Sequence, residues 1–104
     1  MRRGEVWWAH LPRPAGKRPV LLLSRDAAIQ VRQAVTAAQI TRTIRHIPTE
    51  VLLGKKEGMP KTCVVNADVL LTIPKSVLLR RICALPFKKM RAVEQAVKFA
   101  LALD

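Results

Sequence analysis

"GEVWWAHLPRPAGKRPVLLLS", residues 4–24, joins two apolar runs through a segment that holds three prolines, one glycine and three cations. Its first part, "GEVWWAHL", is rich in aromatic and β-branched residues and stops at Pro12, the signature of a strand closed by a turn. "PRPAGKRP" then reads as a tight, basic loop, because proline and glycine break regular structure. "VLLLS" is a short, continuous apolar run of the kind a buried strand shows. A β-rich fold follows from this stretch, and the rest of the chain is read outward from it.

After Ser24, "RDAAIQVRQ" has room for one or two helical turns, with Ser24 or Asp26 as the cap. "AVTAAQIT" and "PTEVLLG" read as a pair of strands around residues 41–45, where Thr41, Thr43 and Arg45 would share one side if the strand continues. Gly54 and Gly58 mark a turn around "KKE". "TCVVN" is β-like again, and "VLLTIPKSVLLRRI" is broken at Pro74, which does not suit the middle of a central strand. From Pro86, an N1 candidate, the period becomes helical, with Met90, Val93, Val97, Ala100 and Leu101 on one side. Several short strands and one terminal helix predict a small, strongly bent sheet or barrel, mainly β, as one domain over residues 1–104.

The chain carries a formal charge of +12 in 104 residues, so it repels itself unless a polyanion or acidic partner screens it. Nine Lys or Arg fall in the first 45 residues against only Glu5 and Asp26. Nucleic acid, acidic protein, or both are the expected partners. No apolar run reaches the length that spans a bilayer, and the start is not a signal-peptide segment, so the expectation is a cytoplasmic chain that does not engage membranes. Cys63 and Cys83 sit in apolar segments without metal-ligand spacing and are expected as buried free thiols.

Four blocks then occur in one order: "RGEVWWAHLP", "KRPVLLLSRD", "ITRTIRHIPTEVLLG" and "EGMPKTCVVNADVLLTIPKS", followed by the helix. In this order and spacing the chain resembles the MazF/PemK toxins of bacterial toxin–antitoxin pairs. The resemblance implies an SH3-like small β-barrel that forms a homodimer and cuts single-stranded RNA without metal or cofactor. It also implies restraint by a cognate acidic antitoxin, through which alone operator DNA would be reached. By position it marks Arg18 and Thr41 as catalytic, and Asp68 as a third candidate, since some relatives place a catalytic Asp there.

The chemistry of these residue types fits such a reaction. RNA supplies its own nucleophile, the 2′-hydroxyl, so a protein has to orient it, handle protons and stabilise charge on phosphate. A guanidinium gives planar, bidentate donors to phosphate and keeps its charge near neutrality, which also makes Arg18 a poor proton acceptor. Family usage implies that this Arg passes a proton to the leaving 5′ oxygen. The Thr41 hydroxyl is a neutral donor for phosphate oxygens, and a carboxylate such as Asp68 can accept the 2′-hydroxyl proton or, equally, cap a turn. Lys17, Ser24, Thr43, Arg45 and Asn66 are the candidate RNA contacts, with Lys55, Lys56 and Lys61 as an extension. Trp7 and Trp8 point to opposite faces of a strand, one for the core and one for a base or an interface. The loop before Arg18 lacks the Glu or His that several relatives place there, and Gln39 stands where Pro is common. Two other readings stand beside the nuclease: a gyrase inhibitor of the CcdB type, and a catalytically degenerate module that binds nucleic acid or antitoxin.

Overall fold

A computed structural model describes all residues, 1–104. The chain forms β1 (Glu5–His10), β2 (Lys17–Leu22), α1 (Asp26–Val31), β3 (Ala34–Thr41), β4 (Glu50–Leu53), β5 (Cys63–Pro74), β6 (Leu78–Ala84) and α2 (Phe87–Ala100). The six strands make one antiparallel sheet in the order β4-β5-β3-β2-β1-β6, curled into a half-barrel, and β4 and β6 are its edges. The architecture is the expected one, mainly β with a C-terminal helix.

Residues 4–24 form the first hairpin as read. Leu11 donates its amide to the Gly16 carbonyl (2.9 Å) and Ala15 to that of Pro12 (3.2 Å), which closes the proline-rich loop on itself. The unbroken apolar run of β2 is explained by cover on both faces of the sheet. On one face Leu21, Ala38, Ile40, Val51 and Val65 pack with Val93 and Ala96 of α2. On the other, Val20, Leu22, Val35 and Ala37 pack with Ile29 of α1 and with Leu11. Trp7 leans on this second core, while Trp8 points the other way, as alternation requires.

Three expectations are corrected. The strands β3 and β4 do not pair with each other; both pair with β5, which lies between them. The eight residues from Arg42 to Thr49 are too many for a tight hairpin, and β5 offers β3 eight register partners where it offers β4 four. Helix α1 is capped by neither Ser24 nor Asp26. Arg25 is its N-cap residue, with no side-chain bond, because the Ser24 Oγ accepts the Thr36 amide (2.8 Å) and the Asp26 Oδ1 accepts the Arg3 amide (2.7 Å). Pro86 is the N-cap of α2, not its first helical residue, and Leu101 lies past the helix end, 52% exposed.

The turn at Gly54 and Gly58 is present as a single 3₁₀ turn, Lys55–Glu57, with the Glu57 Oε1 accepting the Gly54 amide (2.7 Å). Gly58 is left-handed (φ +100°), and a Cβ built there would stand 2.8 Å from the Cβ of Cys83. Conformation and space both require glycine. Gly58→Ala should therefore lower the unfolding free energy by about 2–3 kcal/mol in denaturant titration; an unchanged midpoint would contradict the packing described for this turn.

Candidate functional site

Pro19 restrains the residue before it to extended backbone, so Arg18 is held on β2. On β3, Val20 faces Gln39. The ladder ends at this pair, and Arg18 and Thr41 each lie two residues beyond it. Arg18 and Thr41 also line the same two depressions. The larger, about 470 Å³, lies on the α2 side and takes in Trp8, Lys17, Arg42, Met59, Pro60 and Lys61. The smaller, about 190 Å³, lies on the opposite side with Gln39, Thr43, Arg45, Asn66 and Val69.

The loop holds the Arg18 guanidinium by one edge, since its Nε donates to the carbonyl of Ala15 (3.2 Å). Its two terminal amino groups remain available as a fork. Strand β3 ends at Thr41 because the Thr41 Oγ1 accepts the amide of Thr43 (3.2 Å), a side-chain bond that competes with the ladder. The Thr41 hydroxyl proton is left free to donate. Residues 42–49 are thus a loop and not the continued strand that alternation predicted, yet Thr43 and Arg45 still meet Arg18 and Thr41. Arg42 lies on the other side, in the larger depression.

Electrostatics favour an anion here. Neither depression is lined by a carboxylate or an imidazole. Arg18, Lys17, Arg42 and Lys61 enter no ion pair. The Lys17 ammonium rests 5.0 Å from the centre of the Trp8 ring, so the indole face is a cation site in the free protein. Donors of this kind suit phosphate oxygens and do not suit a hard divalent cation, which needs oxygen ligands.

The remaining candidates fall elsewhere. Three residues of β5, 67–69, have no partner on β3, because Gln39 faces Asn66 while Ala38 faces Leu70. Asp68 sits in this bulge. Its Oδ2 accepts the Thr49 hydroxyl (2.7 Å), its amide donates to the Asn66 Oδ1 (2.9 Å), and it lines neither depression. Ser24 lies near Thr36, five residues back along β3 from Thr41, and is not part of the cleft. Lys55 and Lys56 are exposed on the 3₁₀ turn and line neither depression. His10 and His46 line neither depression.

Sequence reasoning missed Glu50. Its side chain is only 2% exposed, its Oε1 accepts the amides of Arg45 (2.8 Å) and His46 (3.1 Å), and its Oε2 lies 3.8 Å from the Arg45 guanidinium. This carboxylate fastens the loop that carries Thr43 and Arg45. The available signal was its isolation, for it is the first acidic residue after Asp26. Cys63, on the floor of the larger depression, is a buried free thiol. Burial, with the neighbouring Cys83 thiol, pushes it up from the ordinary 9.0 to about 11, so it is not a nucleophile at neutral pH.

Residues 2–101 match the family described as PemK-like, MazF-like toxin of type II toxin–antitoxin system. The chain is 38% identical over 100 residues to the probable endoribonuclease MazF5 of Mycobacterium tuberculosis, covering 95% of this chain and 91% of that protein. Among solved structures, Mycobacterium tuberculosis toxin MazF-mt6 superposes with a TM-score of 0.89 at 34% identity, over 96% of this chain and 98% of that one. A mycobacterial endoribonuclease in complex with its cognate antitoxin gives 0.89 at 29% identity, over 100% and 97%.

Two outcomes follow from the site. Glu50→Ala should cost about 1–3 kcal/mol of stability and speed hydrogen exchange at the Arg45 and His46 amides, since both lose a buried acceptor; unchanged protection at these two amides would remove Glu50 from this part. The raised thiol of Cys63 means that above pH 9 the unfolded chain gives up this proton while the folded one keeps it. Its contribution to stability is whole below pH 9 and is lost as pH rises through about 11. Wild-type unfolding midpoints should fall between these values more steeply than those of Cys63→Ala, and parallel curves would refute the assignment.

Proposed function

The chain belongs to the PemK-like, MazF-like toxins of type II toxin–antitoxin systems, and on that premise we propose that it is an endoribonuclease that cuts single-stranded RNA at preferred sequences without a metal, through Arg18 and Thr41. One observation carries the reading: the two side chains line the same two depressions at the sheet's end, a guanidinium fork and a free hydroxyl proton, in a cleft rich in cations and free of carboxylates. The endoribonuclease names of relatives that cover nearly the whole chain support it over a gyrase inhibitor or a degenerate binding module.

In this reaction the RNA's 2′-oxygen bonds to the adjacent phosphorus while the bond to the 5′-oxygen breaks, which leaves a 2′,3′-cyclic phosphate and a 5′-hydroxyl. The two free amino groups of Arg18 hold the non-bridging oxygens as negative charge builds on them. Thr41 adds a neutral donor to the same phosphate. Its bond from the Thr43 amide fixes the direction of that donor before substrate arrives. The departing 5′-oxygen takes a proton from the guanidinium side, in keeping with the family, and the 2′-hydroxyl proton leaves to solvent, because no carboxylate or imidazole lines the cleft. Lys17, Thr43, Arg45 and Asn66 hold flanking nucleotides. Asp68, engaged with the Thr49 hydroxyl, is given a positioning part at the base of the loop.

The proposal extends to partners. A chain of charge +12 calls for an acidic cognate antitoxin, and a similar structure is solved as an endoribonuclease with its cognate antitoxin. A second copy completes a homodimer, operator DNA is reached through the antitoxin, and the place of action is the cytoplasm. No helix is long and apolar enough to cross a membrane.

Arg18→Ala should lower kcat by roughly 10²–10³-fold with the fold intact, and Arg18→Lys should recover only part of it, since an ammonium cannot make the bidentate contact. Thr41→Val should lower kcat by about tenfold or more with little effect on KM. Discrete cleavage of a long RNA by wild type should persist in excess EDTA. Equal activity of the Arg18 variants, or activity that EDTA removes and a divalent ion restores, would sink the reading.

A further inference from the structure

A third depression, at the far end of β3, takes no part in that reaction. It encloses about 430 Å³, and Ala34 is its one apolar lining residue. Arg25 and Arg32, the residues that flank α1 at its two ends, both line it. Neither enters an ion pair, and no carboxylate lines the space. The nearby Asp26 carboxylate is engaged by the Arg3 amide (2.7 Å).

The hydroxyls of this depression also present protons. Ser24 accepts the Thr36 amide through Oγ (2.8 Å) and keeps its own proton to donate. The Thr36 and Thr72 hydroxyls lie 3.2 Å apart, so one proton is shared between them and the other is free. Two guanidinium groups and two free hydroxyl protons, with no anionic side chain among them, form a donor set for phosphate oxygens. We propose that this depression is a second phosphodiester site, which holds the backbone of single-stranded RNA outside the cleavage cleft.

RNA fits better than a protein segment because the core of a protein interface is apolar, and here a single alanine is the apolar content. Thr36 and Thr41 are five residues apart on β3, about 17 Å along the strand. Thr36 faces the α2 side with Ala38 and Ile40, the side on which the larger depression of the cleft also lies. Only RNA longer than the cleft occupies both. The proposal rests on the endoribonuclease reading for its ligand, and its test measures binding without cleavage so that the two can fail separately.

The test uses fluorescently labelled 2′-O-methyl RNAs of about 5 and about 25 nucleotides, read by anisotropy over a range of salt, with wild type and Arg25→Gln/Arg32→Gln. The double variant should bind the long RNA about tenfold more weakly, with a log Kd against log salt slope shallower by about 1.4, the value for two lost single-strand phosphate contacts. Binding of the short RNA, and its cleavage when unmethylated, should stay at wild-type values. Lys88→Gln/Arg91→Gln on α2 removes the same charge elsewhere and should leave the long RNA's affinity within about twofold. Equal loss on both RNA lengths, equal loss in both double variants, or no loss would overturn the site. Weaker binding of poly-glutamate with unchanged RNA binding would assign the depression to an acidic protein and overturn it as an RNA site. Wild type that cuts RNA while the Arg25/Arg32 variant shows no length-dependent loss overturns this site alone, whereas wild type that binds neither RNA overturns it together with the cleavage reading.

Discussion

The register of β5 is the constraint on which the site depends. Val65 lies between Ile40 of β3 and Val51 of β4, and all three face α2 in the core. The next residue, Asn66, lies between Gln39 and Glu50, so one step along the strand turns from core to a polar row. A slip of a single residue would bury the row and expose the core, which is why the apolar set fixes the pairing. The same row carries Glu50, the carboxylate that fastens the loop, and the bulge at residues 67–69 carries Asp68 against Thr49. Packing on one face of β5 thereby sets the polar geometry on the other.

At the sheet's end, backbone bonds restrain side chains before any ligand arrives. The Ala15 carbonyl holds one edge of the Arg18 guanidinium, and the Thr43 amide holds the Thr41 oxygen. Each bond leaves the remaining donors directed outward, so little reorganisation is required at the moment charge develops on phosphate. Restraint is cheapest where the sequence is stiff, and the proline-rich loop before Arg18 meets that condition. The chain's positive charge adds long-range attraction for polyanions without selecting among them.

Much of this was legible in the sequence. Pro12 to Pro19 and the flanking apolar runs gave the first hairpin, and the change of period after Pro86 gave the terminal helix. Arg18 and Thr41 were named from the order of the blocks, and they share a cleft. What could not be read was non-local. The insertion of β5 between β3 and β4 depends on pairings more than twenty residues apart for β3, and no local pattern encodes them. The stop at Thr41 depends on a side-chain bond to Thr43, where alternation alone would continue the strand. Ser24 has the right residue type for a phosphate contact in the cleft or for a cap, but it lies at the other end of β3 and its Oγ accepts the Thr36 amide, a placement that only the fold reveals. Glu50 was unremarkable as a residue until its two amide donors were seen.

The central claim is that the cleft supplies donors for phosphate and the RNA supplies the nucleophile. The most direct measurement replaces one ribonucleotide, on the 5′ side of a mapped cut, by its 2′-deoxy counterpart in an otherwise unchanged RNA. Cleavage at that bond should vanish while cuts at other sites continue, and those should carry 2′,3′-cyclic phosphate ends. Continued cleavage at the deoxy position would mean that water or a protein group attacks the phosphorus, and would contradict this account of Arg18 and Thr41.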